Sequence, residues 1–562
     1  MKTMLTESYQ SYPKVNLPNR QWPSKEITKA PIWCSVDLRD GNQALVNPMN
    51  LGKKMELFNL LVEMGFKEIE VGFPSAADVE FKFVRKLIEE NLIPEDVTIQ
   101  VLSQTRDHLI EKTYEAIEGA KRAVVHIYNS TSAAQRRVVF NADRAGITAI
   151  AVRGAELSLA CANALSDTEV VFQYSPESFT GTELDYALEI SEAVLDVWQP
   201  TPEKKAIINL PSTVEMSTPN VFADRIEWFC QNLKNRESVI ISVHTHNDRG
   251  TGVATGELAV LAGADRVEGT LFGNGERTGN MDIVTMALNL FSEGVDPQLD
   301  CHDIQKLIDV YERCTEMPVP ARHPYAGELV YTAFSGSHQD AIRKGMLALQ
   351  KPESQFWDVP YLPINPQHVG RTYEAIIRIN SQSGKGGVAY VMEQEFGYQL
   401  PKKMHPEFAQ VVQKISEQTG EEVPTSRIYQ SFQEEYLWPK TPFEVKSCRI
   451  ESESVSEEDS TIKTTVRAKV KIYENLLEIV GEGNGPIDAF CEGIRKSEDT
   501  RFQFVSYHEH ALGEGSNAQA VAYVQIEVGN LFFFGVGMDS NISLASIKAL
   551  CSALNRAYKE VQ

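Results

Sequence analysis

Short apolar runs alternate with longer stretches of helical periodicity between residues 31 and 290 of the chain. This alternation is typical of repeated βα units around a parallel sheet. Eight strands are predicted, at residues 32–37, 69–73, 97–103, 123–128, 170–174, 206–211, 239–244 and 266–271. Eight βα units in about 260 residues predict a closed (β/α)8 TIM barrel, because an open doubly wound sheet usually has about five to seven strands.

The pattern changes after residue 300. Segments rich in Pro, His and Tyr at 317–325 and 352–366 indicate irregular connections, residues 401–419 indicate a helix, and 437–442 has the composition of a linker. From about residue 443 the chain contains two similar units, in which strand runs are followed by a Gly-rich turn and a helix. The turns read VGEGNGPIDAF at 480–490 and FGVGMDSNISL at 534–544, and both contain Gly-x-Gly.

The sequence therefore predicts an α/β protein with four parts. They are an N-terminal extension at 1–30, the barrel at 31–310, mostly helical linker subdomains at 311–440, and a C-terminal α+β domain built from a duplicated βββα-like unit at 441–562.

Charge and composition narrow the possible partners. Of the 562 residues, 54 are Lys or Arg and 77 are Asp or Glu, so the net charge is −23. Such a surface disfavours nucleic acid and membrane partners, although a local basic pocket for an anionic metabolite remains possible. The eight cysteines form no C-x-x-C pair, no apolar run is long enough to span a membrane, and the first thirty residues are polar. These features predict a soluble cytoplasmic protein with reduced thiols, in a bacterium rather than a mitochondrion.

Side chains suited to metal binding follow the first and seventh predicted strands. TIM barrels place their reacting groups at the C-terminal strand ends, where the sequence reads DLRDGNQ at 37–43 and VHTHNDR at 243–249. Residues i and i+2 of a strand share a side, so His244 and His246 are predicted to chelate one ion. Adding Asp40 gives a two-histidine, one-carboxylate site that suits Zn, Mn, Mg or Fe(II). Such an ion polarises a 2-oxo acid, and Arg39 adds a second positive charge near the reacting oxygen.

The loop after the eighth strand reads GNGERTGN at 273–280. Its glycines permit a ligand to approach the backbone closely. The spacing and the position at the eighth strand differ from the dinucleotide fingerprint, so we predict a ligand contact without a Rossmann fold.

Four segments together resemble the 2-isopropylmalate synthase family in its longer bacterial and fungal form. They are LRDGNQAL at 38–45, HTHND at 244–248, GNGERTGN at 273–280 and SGSHQD at 335–340. The resemblance covers nearly the whole chain, and the duplicated C-terminal unit makes it more specific than any single segment. It implies an acyltransferase that condenses acetyl-CoA with 3-methyl-2-oxobutanoate and water, giving 2-isopropylmalate and CoA, the committed step towards leucine.

The resemblance also implies a divalent cofactor (Mg, Mn or Zn), acetyl-CoA as co-substrate, leucine as effector and a homodimer, and it leaves a requirement for K⁺ open. The implied metal ligands are Asp40, His244, His246 and, as a neutral oxygen donor, Asn280. The implied substrate contacts are Arg39 at the oxo group, His126 and Thr213 near the carboxylate, and Gly273, Asn274 and Gly275 at acetyl-CoA. The implied catalytic residues are Arg39, Glu177, His338 and Tyr373, the last two supplied by the linker subdomains of the partner subunit.

Two further assignments combine the resemblance with chemistry. Removing a proton from the thioester methyl needs a base within about 3 Å whose pKa is tuned towards neutrality, which a Glu or a His provides. We rank His338, paired with Tyr373, ahead of Glu177 as that base. The C-terminal unit resembles the family's leucine-binding domain, and leucine is predicted where backbone donors and helix N-termini hold a carboxylate, near Asp488, Ala489, Gly535 and Ile542.

Other functions remain open at this point. A homocitrate synthase or a citramalate synthase would use the same chemistry on a different oxo acid. A metal-dependent aldolase or lyase would cleave a carbon-carbon bond on the same barrel. A non-catalytic amino-acid sensor would keep only the C-terminal module, and the intact candidate metal ligands argue against it.

Overall fold

The computed structural model describes residues 10–333, 335–349, 356–372, 385–419, 423–454, 462–497, 501–513, 515 and 518–561. Two compact units lie within the chain, one within residues 1–331 and 363–373, the other within 332–362 and 374–562.

The first unit is built on a closed barrel of eight parallel strands. The strands are β1 Ile32–Ser35, β2 Glu68–Gly72, β3 Thr98–Gln104, β4 Arg122–Ser130, β5 Glu169–Glu177, β6 Ala206–Ser212, β7 Val239–Thr245 and β8 Arg266–Gly269. Pairing of β1 with β8 closes the barrel, with Trp33 opposite Val267. The predicted TIM barrel is confirmed, and each predicted strand overlaps an observed one.

Helices connect or follow the barrel strands, and all except the three-residue helix at 133–135 contain buried residues. They are α1 Leu51–Glu63, α2 Asp78–Glu89, α3 Asp107–Ile117, α4 Ala133–Gln135, α5 Arg144–Ala164, α6 Leu184–Trp198, α7 Pro219–Asn232, α8 Gly252–Leu261, α9 Ile283–Ser292 and α10 Ile304–Thr315. In α1, for example, Asn50 caps the first turn, and Leu57, Phe58 and Leu61 are fully buried. Helix α5 is long and apolar enough to cross a membrane, but here it packs against α3, α6 and β4 as a barrel helix.

The second unit begins with helices and ends with two similar sheets. The helices are α11 Gly336–Leu349, α12 Lys385–Phe396, α13 His405–Thr419 and α14 Thr425–Phe432. The first sheet and its helix are β9 Phe443–Ser454, β10 Ile462–Ile472, β11 Asn475–Gly483 and α15 Pro486–Ser497; the second are β12 Gln503–Leu512, β13 Gln519–Val528, β14 Leu531–Asp539 and α16 Ile542–Val561. Each sheet is a three-stranded antiparallel meander, so the predicted duplicated βββα unit is confirmed.

The prediction that the Gly-x-Gly pairs lie in turns is wrong, because these glycines lie in the last strand of each sheet, whereas Gly485 does lie in the turn between β11 and α15. Gly481 lies in β11 and Gly535 in β14, and both are buried. A Cβ atom at Gly481 would overlap the carbonyl oxygen of Ala489 in α15, and one at Gly535 would overlap that of Ala549 in α16. The glycines therefore let each helix pack directly on its strand, which a turn interpretation does not explain.

Candidate active site

The candidate metal-binding side chains converge at the C-terminal end of the barrel. Asp40 lies in a wide turn, Asp37–Gly41, that follows β1, while His244 lies in β7 and His246 directly after it. One potential ligand atom from each of the three residues lies within 4.8 Å of the others, and all three residues are buried. The structure thus brings together the acid and the two histidines that the strand-end argument selected.

Electrostatic contacts hold Asp40 as an anion. Its Oδ1 accepts a hydrogen bond of 2.6 Å from Arg39 Nη1, and its Oδ2 lies 3.6 Å from His244 Nε2. Burial opposes the charge, yet Arg39 and His244 hold the pKa of Asp40 well below its ordinary value. An anionic carboxylate is the form that binds a cation.

The two histidines differ in their surroundings. His244 donates from Nδ1 to Glu268 Oε2 at 2.9 Å, which leaves Nε2 facing Asp40. Burial lowers the pKa of His244, but hydrogen bonds to Asp40 and Glu268 outweigh it and raise that pKa to about 9. For His246, burial and the neighbouring positive charge of His244 lower the pKa to about 4. His246 is therefore neutral at pH 7 and retains a lone pair for a metal.

Asn280 contacts the cluster through its amide nitrogen. Nδ2 donates to Asp40 Oδ2 at 2.8 Å and to Asn274 O at 3.0 Å. Because both neighbours are acceptors, the nitrogen faces them and Oδ1 is left without a hydrogen-bond partner. The assignment of Asn280 as an oxygen ligand stays a prediction, while its contact with Asp40 orients a predicted ligand.

The donor set fits a divalent cation. Two imidazoles and one carboxylate form the cluster; among the described residues, His246 Nδ1 in the cluster and Oδ1 of the adjoining Asn280 are buried and make no hydrogen bond. Buried polar atoms are rarely left unsatisfied, so these two indicate that a ligand belongs among them.

Arg39 and His126 extend the site across the barrel mouth. Arg39 Nε donates to Glu70, and Glu70 also lies 3.3 Å from His126 Nδ1. His126 Nε2 is 2.7 Å from Ser175 Oγ. Glu70 therefore contacts both the guanidinium and the imidazole for which the family resemblance implies substrate contacts.

A cavity of about 270 Å³ lies above the cluster. Its lining includes the predicted residues Arg39, Asp40, His126, Glu177, Thr213, His244 and His246. Glu177 receives a hydrogen bond from Ser130 Oγ, and Thr213 Oγ1 accepts one of 2.9 Å from Ser178 N. The structure thus places a carboxylate and a hydroxyl in the same cavity as the candidate metal ligands.

The loop at 273–280 folds back on itself beside the cluster. Asn280 N donates to Gly273 O at 3.1 Å, and Gly279 has no side chain where the backbone of Gly273 passes. Asn274 Nδ2 donates to Gly41 O at 3.0 Å, which ties this loop to the turn that holds Asp40. Within the described contacts, the loop glycines serve this internal packing, and the acetyl-CoA contact at Gly273, Asn274 and Gly275 stays a prediction.

His338 and the predicted effector residues belong to the second unit. His338 is an exposed residue of α11, and its ring stacks on that of Tyr361 with centroids 4.0 Å apart. Tyr373 lies outside the described residues. Asp488 lies in the first turn of α15, where its Oδ2 accepts a hydrogen bond of 3.0 Å from Asn484 N, and Ile542 begins α16. Ala489 and Gly535 are buried, so the exposed backbone donors expected there are not found at these two positions.

Sequence reasoning missed a polar network inside the barrel. Glu268 accepts hydrogen bonds from His244, Arg266, Gln100, Gln173 and Asn209. Arg266 is fully buried and also pairs with Glu68. The available signal was the alternation Arg-Val-Glu in β8 and Glu-Ile-Glu in β2, since a charge inside an apolar strand faces the interior of a barrel only when it is paired.

Comparison with known protein families separates the chain into three matched regions. Residues 30–310 match the HMGL-like family, residues 328–393 the alpha-isopropylmalate synthase post-catalytic domain-like family, and residues 422–558 the LeuA allosteric (dimerisation) domain.

Full-length relatives give the same result. The chain is 57% identical to a 2-isopropylmalate synthase of Clostridium acetobutylicum, over 99% of this chain and 100% of the relative. Proteins of the same name from Rhodospirillum rubrum and a Parafrankia species are 53% and 54% identical, over 98% and 99% of this chain and 98% of each relative.

Proposed function

The chain belongs to the 2-isopropylmalate synthase family, and from this we propose that its barrel mouth condenses acetyl-CoA with 3-methyl-2-oxobutanoate. The methyl carbon of the acetyl group forms a bond with C2 of the oxo acid, and the oxo oxygen gains a proton and becomes a hydroxyl. Water then cleaves the thioester, so that 2-isopropylmalate and the free thiol of CoA are released. The reaction is the committed step towards leucine.

The observation that carries this proposal is the convergence of Asp40, His244 and His246 beside Arg39 in one cavity. A divalent cation bound there would act as a Lewis acid on the oxo acid. We propose Mg, Mn or Zn as that cation, with Asn280 as a further ligand.

The chain's own residues supply orientation and charge. Arg39 is held by Glu70 and Asp40, which outweigh the effect of burial and raise its pKa, so the guanidinium stays cationic beside the oxo oxygen. Thr213 Oγ1 accepts a hydrogen bond from the Ser178 amide, so the hydroxyl hydrogen of Thr213 points away from that amide. This hydrogen is available to donate to the substrate carboxylate. His126 lines the same cavity and is assigned to the same carboxylate.

Proton removal from the acetyl methyl is assigned to His338 together with Tyr373. We propose that both come from the linker subdomains of the partner subunit in a homodimer. Glu177 is the second candidate, because it lines the cavity with a carboxylate that Ser130 orients. The loop residues Gly273, Asn274 and Gly275 are assigned to acetyl-CoA.

The C-terminal module regulates the enzyme in this proposal. Its match to the LeuA allosteric (dimerisation) domain supports leucine as effector and a dimer. We propose that leucine binds near Asp488 and Ile542. We also propose that the chain is divided into four functional parts, at residues 1–30, 31–310, 311–440 and 441–562. A cytoplasmic location is proposed because all eight cysteines are free thiols and the apolar helix α5 is part of the barrel layer.

A panel of 2-oxo acids tests the reaction. Purified protein is incubated with acetyl-CoA, a divalent ion and each oxo acid, and free thiol is measured. The fastest release of CoA is expected with 3-methyl-2-oxobutanoate, and faster release with 2-oxoglutarate or pyruvate would contradict the proposal.

A matched pair of histidine variants links turnover to the site. His246→Ala removes a predicted metal ligand and is expected to abolish CoA release. His302→Ala changes an exposed histidine that is paired with Asp300, and it is expected to keep wild-type activity. Equal activity of the two variants would show that the cluster does not support the reaction.

A further inference from the structure

The turn that carries Arg39 and Asp40 rests on a buried lysine. Lys54 lies in the first turns of α1 and is 0% exposed. Its Nζ donates to Leu38 O at 3.0 Å and to Val71 O at 3.5 Å, and it pairs with Glu80 Oε1 at 2.6 Å. An ammonium has three donors, so each of them has an oxygen acceptor here.

Glu80, in α2, extends these contacts to neighbouring segments. Its Oε2 accepts a hydrogen bond of 3.2 Å from Phe73 N, and its Oε1 lies 3.4 Å from Asn42 Nδ2. Gly72, at the end of β2, has no side chain where the Glu80 carboxylate passes. The Lys54–Glu80 pair therefore joins the end of β2 to the turn after β1.

The same turn is fixed from its other side. The amides of Asp40 and Gly41 donate to Val36 O at 2.9 and 3.1 Å, while the carbonyl of Leu38 is held by Lys54. Since Leu38 directly precedes Arg39, a shift of its carbonyl moves the backbone from which both site residues project.

We propose that Lys54 is a positioning residue for the metal and oxo-acid site, acting as a tethered cation that fixes the backbone of the Asp37–Gly41 turn. The expected effect of Lys54 on turnover rests on the proposed function, whereas its expected effect on metal binding does not. An apolar side chain of the same length would fill the space but leave the Leu38 carbonyl and the Glu80 carboxylate buried without this donor. Lys54 does not contact the substrate cavity, so it acts through Arg39 and Asp40.

A double variant separates positioning from folding. Lys54→Met alone leaves the carboxylate of Glu80 without its cation and endangers the fold. Lys54→Met combined with Glu80→Gln removes both charges and keeps the side-chain volumes. In the full-length protein, the dissociation constant for Mn²⁺, measured by competition with a chelator, is expected to rise about 10- to 100-fold. The kcat for CoA release is expected to fall, with KM for acetyl-CoA changed less than about twofold, because the altered turn holds the oxo-acid side of the site.

Chemical rescue provides a second measurement. Lys54→Ala removes both the alkyl stem and the ammonium, and propylammonium in the buffer supplies both. Propylammonium is expected to raise the Mn²⁺ affinity of Lys54→Ala at least about tenfold. Tetramethylammonium has no N–H donor and is expected to leave that affinity unchanged.

Lys53 offers the matched control. It precedes Lys54 on the same helix, is partly exposed, and pairs with Glu316 at 2.7 Å. Lys53→Met combined with Glu316→Gln is expected to bind Mn²⁺ and release CoA as the wild type does.

Two results would overturn the inference. One is a double variant at 54 and 80 whose Mn²⁺ affinity and turnover stay within about twofold of the wild type. The other is a folded Lys54→Ala variant that propylammonium does not rescue. If the wild type released no CoA with any oxo acid, the proposed function would fail, and the Mn²⁺ affinities would still decide the role of Lys54.

Discussion

Glu268 is a buried carboxylate inside the barrel that orients side chains of the candidate active site. It accepts from His244 Nδ1 at 2.9 Å and from Arg266 Nη1 at 2.8 Å. The first contact fixes the tautomer of a predicted metal ligand, and the second balances the charge of the carboxylate in a buried position. A group that touches no substrate thus determines which nitrogen of His244 faces Asp40.

Replacing Glu268 by Gln is expected to weaken metal binding and the fold together. The amide does not balance the Arg266 charge, and loss of one partner of a buried pair costs up to about 3 to 5 kcal/mol, less here because Glu68 also contacts Arg266. We expect Mn²⁺ affinity to fall about 10- to 100-fold in a chelator competition, with a lower melting temperature. Glu169→Gln, at the exposed start of β5 opposite Arg122, is the control and should leave both unchanged. Equal Mn²⁺ affinities of the two variants would refute the role of Glu268.

A second pair of residues gives a prediction for stability at low pH. Arg136 donates two hydrogen bonds, of 2.9 and 2.6 Å, to the carboxylate of Glu183, and these bonds lower the pKa of Glu183 to about 2. An unfolded Glu titrates near about 4.3, so the stabilisation is complete above that pH and is lost as the pH falls towards 2. Because the Glu183 side chain is 38% exposed, the effect is expected to stay below about 1 kcal/mol.

The measurement compares melting temperatures of the wild type and Glu183→Gln from pH 7 to pH 3.5. The difference is expected to be largest near neutral pH and to shrink below about pH 4.5. Glu189→Gln, an exposed position in α6, the helix that begins directly after Glu183, should show no such trend. A Glu183→Gln difference that is constant across the range would contradict the assigned cause.

At the scale of elements, the glycines of β11 and β14 determine how the C-terminal helices pack. Each helix lies so close to its strand that a methyl group at Gly481 or Gly535 would overlap helix backbone. Backbone atoms cannot rotate away as a side chain does, so the helix itself must shift.

Gly481→Ala is therefore expected to destabilise the second unit by about 1 to 3 kcal/mol. Urea unfolding, followed by the loss of helical circular dichroism, measures this change. Gly485→Ala is the matched control in the same segment, since no atom of the described residues lies within 4 Å of the position its Cβ would occupy. If both variants unfolded at the same urea concentration, close packing of α15 on β11 would not be the reason for Gly481.

Apolar periodicity in the sequence locates the apolar part of each strand but does not detect where a strand continues through polar residues. Apolar alternation located every barrel strand, but it ended β5 at 174, whereas the strand continues to Glu177. Ser175, Pro176 and Glu177 are not a hydrophobic run, yet they continue the ladder with β4, where Glu177 pairs with Ser130. Backbone pairing extends past the apolar residues at the barrel mouth, and this polar end of the strand carries the site.

The candidate site likewise contains residues that the sequence predicts and residues that only the tertiary structure reveals. His244 and His246 are readable because two ligand residues alternate along one strand. Lys54 is not readable, since a lysine in an amphipathic helix normally faces solvent, and only the tertiary structure shows that it is buried against Glu80. The proposed metal ligands on β7 share a local pattern, while the residues proposed to position the site are spread over α1, α2 and β8.

At the scale of the whole molecule, the helices that precede the C-terminal sheets belong to the same compact unit as those sheets. Apolar residues of α12 to α14 share a core with β13 and β14, including Met392, Phe408, Phe432, Tyr523 and Phe534. The linker predicted at 437–442 therefore joins elements that are packed together within this unit. If leucine binds near Asp488 as proposed, its effect has a packed route into the helices at 385–437, and α11, which carries His338, belongs to the same unit.

Leucine inhibition gives the prediction that spans this distance. If Asp488 holds the ammonium group of leucine, Asp488→Asn should raise the leucine concentration needed for half inhibition. Allosteric couplings of about 1 to 3 kcal/mol correspond to shifts of about 5- to 150-fold. CoA release measured with and without leucine provides the readout, and turnover without leucine is the internal reference. Glu492→Gln is the control, because Glu492 makes a similar contact one turn further along α15, accepting a hydrogen bond of 2.6 Å from Glu482 N. If Glu492→Gln shifted the inhibition as much as Asp488→Asn, a general loosening of α15 would explain the effect and leucine would have to bind elsewhere.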